Sequence, residues 1–358
     1  MPSKHFPDRA VLLPWSPTFL LLAGLFAVWT QLAQGTEKPA VIERPNADSG
    51  PTEISVGIWV VDISNIDSAQ QNFTAEVAVV LRWKDSRLAH TGNGVVRYSL
   101  EQIWHPRVGI VNETNSVTRK MPDFVEVNPD GAVTYRQLYV GAFTQPLRLQ
   151  SFPFDRQNFR IQLVAVRYRT NEIRFVPDED WVRNGIKDGA GIAPSITLPD
   201  WTIEKWDTKP LTYALAPGLQ FSSYAFEFTA SRNVQYYILK VILPLILIVV
   251  MSWAGFWIDP VNASAQISVA VTSMLTLIAY RFAVDTQLPR LPYMTRLDAL
   301  FLISTLLVFF SLIEVMATTI LDNNQQTARA KKLDRDCRVI FPAIFAIACV
   351  AILAHPRG

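Results

Sequence analysis

The sequence predicts an immunoglobulin-like β-sandwich of about ten strands followed by a bundle of four membrane-spanning helices. Three observations carry this. Apolar residues alternate with period two between Glu53 and Arg232, hydrophobic runs of bilayer length replace that pattern after Arg232, and the second run carries hydroxyl residues at helical spacing.

Composition narrows the function classes. The chain has 358 residues, half of them hydrophobic, and a formal net charge of +2. That balance gives no basis for a nucleic-acid partner. Its two cysteines, Cys337 and Cys349, belong to the last hydrophobic run, so the middle of the chain has no disulfide framework or thiolate metal cluster. His5, His90, His105 and His355 are scattered without metal-ligand spacing. With no nucleophile–base pair and no phosphate-binding loop either, the sequence predicts no enzyme, no metal and no cofactor.

Residues 1–35 read as an export signal. Lys4, His5 and Arg9 precede the apolar run Phe19–Val28, and Ala33-Gln34-Gly35 offers small residues for cleavage. An uncleaved anchor is the alternative. Residues 36–52 are polar and proline-bearing, as in a linker.

The β domain is expected over residues 53–233. Ile54, Val56, Ile58 and Val60 alternate, as do Phe73, Ala75, Val77, Val79, Leu81 and Trp83. Phe159, Ile161 and Leu163 repeat the pattern, as do Tyr224, Phe226 and Phe228, and Asn128-Pro129-Asp130-Gly131 reads as a turn. Of the six tryptophans here (Trp59, Trp83, Trp104, Trp181, Trp201, Trp206), most are expected in the core.

Residues 234–358 make the membrane domain, with helices expected over about 236–257, 264–286, 295–321 and 337–354. The polar connection Asp322–Asp336 carries Arg329, Lys331, Lys332 and Arg335. An exported sandwich puts this basic segment in the cytoplasm, as the positive-inside bias requires. In the second run Ser268, Thr272, Leu275, Ala279 and Phe282 step by four, three, four and three residues and so share one helix face. Such a face suits helix packing in lipid, or a conduit closed by several copies. Arg281 and Glu314 stand out as charges within spans; Asp285 and Asp298 are among the expected partners of Arg281.

Several strings extend the pattern: Trp83-Lys84-Asp85, Ile103-Trp104-His105-Pro106, Phe152-Pro153-Phe154-Asp155-Arg156-Gln157, Arg232 before the first span, Ile242-Leu243-Pro244, Ser252-Trp253-Ala254-Gly255-Phe256-Trp257, and Leu288-Pro289-Arg290-Leu291-Pro292-Tyr293-Met294. In these residues the chain resembles the pentameric ligand-gated ion channels (the Cys-loop receptor superfamily), most closely their prokaryotic branch. Animal members bracket the Phe-Pro-Phe-Asp loop with two cysteines. This chain has none there, as in bacterial members.

The resemblance implies a homopentamer around a central pore, with identical subunits, membrane lipid, permeant ions and an unidentified small-molecule agonist as partners. The membrane would be the inner (plasma) membrane, with the sandwich outside. Ser264, Ser268, Thr272, Leu275, Ala279, Phe282 and Asp285 would line the pore from the cytoplasmic end outward. Leu275 and Phe282 would gate it by dewetting. A ring of Asp285, helped by Asp259, favours cations. The mouth Ser264-Ala265-Gln266, however, has neither the acid of cation channels nor the arginine of anion channels. An anion-selective channel and a non-conducting sensor are the alternatives. Coupling falls on Arg232 set between Asp155 and Asp67, with the Pro289–Pro292 loop taking up the motion. A ligand site between sandwiches would use Arg107, Arg167, Tyr168 and Tyr213 on one side and Arg136 and Tyr139 on the other. Aromatics there favour an amine and arginines a carboxylate, and protons are a further candidate signal.

Overall fold

The computed structural model describes residues 42–114, 116–285 and 291–354. The expected signal segment, residues 36–41 of the linker and Pro289 lie outside the described residues.

Twelve strands are present among the described residues. They are β1 (Thr52–Asp67), β2 (Asn72–Lys84), β3 (Val96–Ser99), β4 (Val108–Ile110), β5 (Thr118–Arg119), β6 (Phe124–Val127), β7 (Ala132–Thr144), β8 (Arg156–Arg169), β9 (Ile173–Pro177), β10 (Ala190–Ile192), β11 (Trp201–Ala216) and β12 (Leu219–Arg232). One sheet runs β10-β1-β2-β7-β6-β3, with β9 also on β1 and β5 on β7; the other runs β11-β12-β8-β4. The count exceeds ten because β5 and β10 are too short to show alternation in sequence.

Period two places the core. Ile54, Val56, Ile58 and Val60 are fully buried, and so are Phe159, Ile161 and Leu163. Phe73, Phe159 and Phe228 meet between the sheets, with ring centroids at 5.3 Å for the first pair and 4.9 Å for the second. Trp83, Trp104 and Trp201 are buried, whereas Trp59, Trp181 and Trp206 are only half-buried. The Asn128–Gly131 turn forms, with Gly131 at φ +82°. A Cβ there would stand 2.5 Å from the Asp85 carbonyl oxygen, so the position requires glycine.

Among the described residues the membrane domain has four long helices: α1 (Gln235–Trp257), α2 (Ala263–Asp285), α3 (Arg296–Asn323) and α4 (Thr327–Ala354). The first three are long and apolar enough to cross a bilayer. Within α1, Pro244 has no N–H for the Lys240 carbonyl, and a π-turn, Ile238–Ile242, precedes it. The Tyr280 hydroxyl of α2 reaches into that gap, 3.1 Å from the Lys240 oxygen and 2.8 Å from that of Val241. Thus the proline defect in α1 becomes a tie to α2.

Helix α4 starts at Thr327, well before the expected Cys337. Buried Ala330, Asp334, Cys337, Phe341 and Phe345 recur every three or four residues, so the polar segment is already amphipathic helix. Its basic residues lie on the first turns of that helix rather than in a loop.

A candidate pore and its coupling junction

Helix α2 has two faces. Gln266, Ala270, Ser273, Leu277 and Val284 are buried against the subunit's own bundle. Ser264, Ser268, Thr272, Leu275, Ala279, Phe282 and Asp285 are all exposed in the single chain. Leu275 is 62% and Phe282 70% exposed. A stripe mixing hydroxyls with large apolar groups matches neither pure lipid nor bulk water.

The outer end is less acidic than the sequence implies. Arg281 Nε lies 3.7 Å from Asp285 Oδ2, one turn away. Asp298, the other expected partner, instead closes a capping box with Thr295 at the start of α3. Towards the cytoplasm, Asp259 accepts from Lys331 Nζ at 2.8 Å, and that contact holds its carboxyl below the usual range. Both carboxylates credited with negative potential therefore have basic neighbours.

At the junction, Arg232 ends β12 and grips Asp155 with two bonds: Nε donates to Oδ1 at 2.8 Å and Nη2 to Oδ2 at 3.2 Å. Both side chains are buried, at 5% and 1% exposure. The guanidinium also lies 4.2 Å from the Trp201 ring centroid and 4.8 Å from that of Phe152. Gln157 Nε2 donates to Asp155 Oδ2 at 2.8 Å, so the carboxylate is well satisfied. Removing one member of such a pair leaves a buried charge, at a cost of about 3–5 kcal/mol.

Asp67 is not the second partner. Its Oδ1 accepts from the backbone N–H groups of Ala69 and Gln70, capping the β1–β2 turn, and the neighbouring Ser68 Oγ receives Arg232 Nη2 at 3.0 Å. Asp155 belongs to the loop Leu149–Asp155, which is bound to the start of α3. Leu149 N donates to the Tyr293 hydroxyl at 3.2 Å, and Arg296 N to the Gln150 carbonyl at 3.1 Å. Pro292 is exposed beside Tyr293. Sequence reasoning overlooked Ser68, Trp201 and Tyr293; Tyr293 stood inside a quoted string but carried no charge to single it out.

In the sandwich, Arg107, Arg167 and Tyr168 converge on a cavity of ≈ 410 Å³ with Glu43, Trp104 and His105. Trp104 Nε1 donates to the Tyr168 hydroxyl at 2.8 Å and fixes the wall. Arg107 has φ +47°. Burial holds the His105 imidazole below its usual value. Tyr213 stands elsewhere, half-buried on β11 opposite Phe221. Arg136 is exposed and paired with Glu126 at 2.5 Å.

Tyr139 corrects an expectation: it is 3% exposed and sits beneath Arg119, 5.9 Å from its ring. Its side chain points into the core, so it presents no surface to a neighbouring subunit's ligand. Arg119 and Tyr135 line a second cavity of ≈ 300 Å³ with His105 and Arg107; neither is among the ligand residues expected from sequence.

The sequence model of the neurotransmitter-gated ion-channel ligand binding domain matches residues 36–232, and that of the transmembrane region of the same channels matches residues 241–329. The chain belongs to the neurotransmitter-gated ion-channel family. It is 31% identical over 314 residues to a proton-gated ion channel of Gloeobacter violaceus, covering 86% of this chain and 84% of the relative. It is 25% identical over 313 residues to a gamma-aminobutyric acid receptor subunit beta-like protein of Drosophila melanogaster, covering 82% of this chain and 61% of that one. The neurotransmitter-gated channels are membrane channels, not enzymes, with an extracellular domain and transmembrane helices. Applied to this chain, that places the β-sandwich outside the cell.

Proposed function

We propose that five identical chains form a channel for small inorganic ions, lined by α2 and opened by a signal acting on the β-sandwich. The uncovered α2 face carries this reading, because its hydroxyls and large apolar groups lie opposite a fully packed face. Hydroxyl rings replace part of an ion's hydration shell, and the Leu275 and Phe282 rings close the pathway by dewetting. Opening tilts the helices and rewets those rings. The signal travels from the sandwich through Arg232 and Asp155 to the loop bound at the start of α3.

The permeant ion we favour is a cation, drawn by the Asp285 ring at the outer mouth. Anion conduction is the second reading, favoured by the contact of Asp285 with Arg281 and of Asp259 with Lys331. The agonist is a small molecule or the proton. Arg107 and Arg167 around one cavity suit a carboxylate, and one relative is described as a proton-gated ion channel.

Purified protein in planar bilayers tests this with reversal potentials under a salt gradient, across pH and a panel of amines and carboxylates. The cation reading predicts reversal towards the cation equilibrium potential; reversal towards that of chloride selects the anion channel. Silence under every condition contradicts conduction.

A further inference from the structure

The buried face of α4 carries one charged residue, Asp334, which is 1% exposed. Across the seam with α3 it meets Glu314, 6% exposed, carboxyl against carboxyl. Gln266 of α2, fully buried, completes the group. Its Nε2 donates to the carbonyls of Ile258 at 2.9 Å and Gly255 at 3.3 Å, and only at 3.5 Å to Asp334 Oδ2. Those two carbonyls fix the amide orientation, because an oxygen turned towards them would be repelled. That leaves four buried oxygens without a donor: both of Glu314, Oδ1 of Asp334 and Oε1 of Gln266.

The surrounding cations give these oxygens no hydrogen bond, although the charge of Arg338 acts on Asp334. Arg338 Nε donates to the Phe256 carbonyl at 2.9 Å, and its guanidinium lies 5.5 Å from the Trp257 ring centroid. Lys331 is engaged with Asp259. Asp259 and Asp336 add negative charge nearby, and Cys337 brings a buried thiol. Helices α1 and α2 bring no cation to the group, and among the described residues neither Glu314 nor Asp334 makes an ion pair. Two bare carboxylates cannot both be held this way in a dry helix seam.

We propose that Glu314 and Asp334 bind one proton between them, and that this proton ties the inner ends of α3 and α4 to α2 through Gln266. One carboxyl donates its O–H to the other's oxygen, which removes the repulsion between two anions and gives one of the four oxygens a donor. Losing the proton to the cytoplasm sets two carboxylates face to face and loosens the seam beside the inner pore mouth at Ser264. The pair is thus a sensor of cytoplasmic pH, separate from any signal at the sandwich. The link to the mouth rests on the pore reading of α2; the protonation itself does not.

Infrared spectroscopy on the purified full-length protein in lipid tests the protonation without any current. The wild type should show the carbonyl stretch of a protonated carboxylic acid at neutral pH, when ordinary carboxyls are ionised. The band should disappear on alkalinisation and be absent in the double variant E314Q/D334N. Thermal stability should fall with rising pH in the wild type and change less in the variant. If that variant does not fold, the wild-type band still decides. A missing band at neutral pH overturns the proposal. So does a band that survives in the double variant. A band or stability that responds to exchanging sodium for a bulky organic cation, rather than to pH, indicates a bound metal cation and also overturns it. If the band behaves as expected but α2 does not line a pore, only the link to the pore mouth is lost.

Discussion

His105 shows how far one side chain reports on its surroundings. It borders both sandwich cavities beside Arg107, and burial favours its neutral ring. The folded state therefore binds its proton less readily than the unfolded chain. Its contribution to stability is complete above about pH 6.5 and declines as pH falls towards the depressed folded-state value. Melting curves of the full-length protein should show this acid-side loss, and H105N should reduce it. An unchanged slope in H105N would remove His105 as the cause.

Other residue assignments failed for reasons that can be stated. Charge complementarity singled out Asp67 as a partner of Arg232, yet at a tight turn a carboxylate finds backbone N–H donors first, and Ser68 takes the guanidinium. Arg136 and Tyr139 stand three apart on β7, so strand parity puts them on opposite faces. Buried Val133, Tyr135, Gln137 and Tyr139 mark the inward set, and Arg136 belongs to the other. That signal was present in the sequence. The basic neighbours of Asp285 and Asp259 were not equally legible. Arg281 stands one turn from Asp285, whereas Lys331 reaches Asp259 only because α4 begins early.

At the scale of elements, alternation was a sound guide until geometry changed its phase. In β1 the inward set Ile54, Val56, Ile58, Val60 shifts after Val60, where a bulge resets the register and buries Ile63 instead. No residue type announces such a bulge. Helix α4 was misjudged at its start because charge was taken for linker, although its apolar spacing continues back to Ala330. Helix α2 was legible almost completely, its exposed and buried faces being set by the same three-and-four spacing. The gate assigned to it makes a specific prediction. Replacing Leu275 by Ser removes an apolar ring from the proposed dewetting gate. L275S should open at an agonist or proton concentration lower by at least about tenfold. Dose–response currents that coincide with wild type would place the gate elsewhere.

For the whole molecule, the single chain is visibly incomplete. Its core and its junction are packed internally, but the α2 stripe is left uncovered. On the proposed function, five copies close around that stripe, with hydroxyls towards ions and apolar rings across the gate. On the same reading, the Arg232–Asp155 pair and the loop bound at the start of α3 carry motion between each sandwich and its own helices. The most direct measurement is cysteine accessibility along α2. Single cysteines at Ser268, Thr272, Leu275, Ala279 and Phe282, and at Ala270, Ser273 and Leu277, would be challenged with a charged thiol reagent during current recording. The account predicts block at the first five positions and none at the last three. Block that ignores this spacing, or that falls on the buried face, would contradict a pore lined by α2.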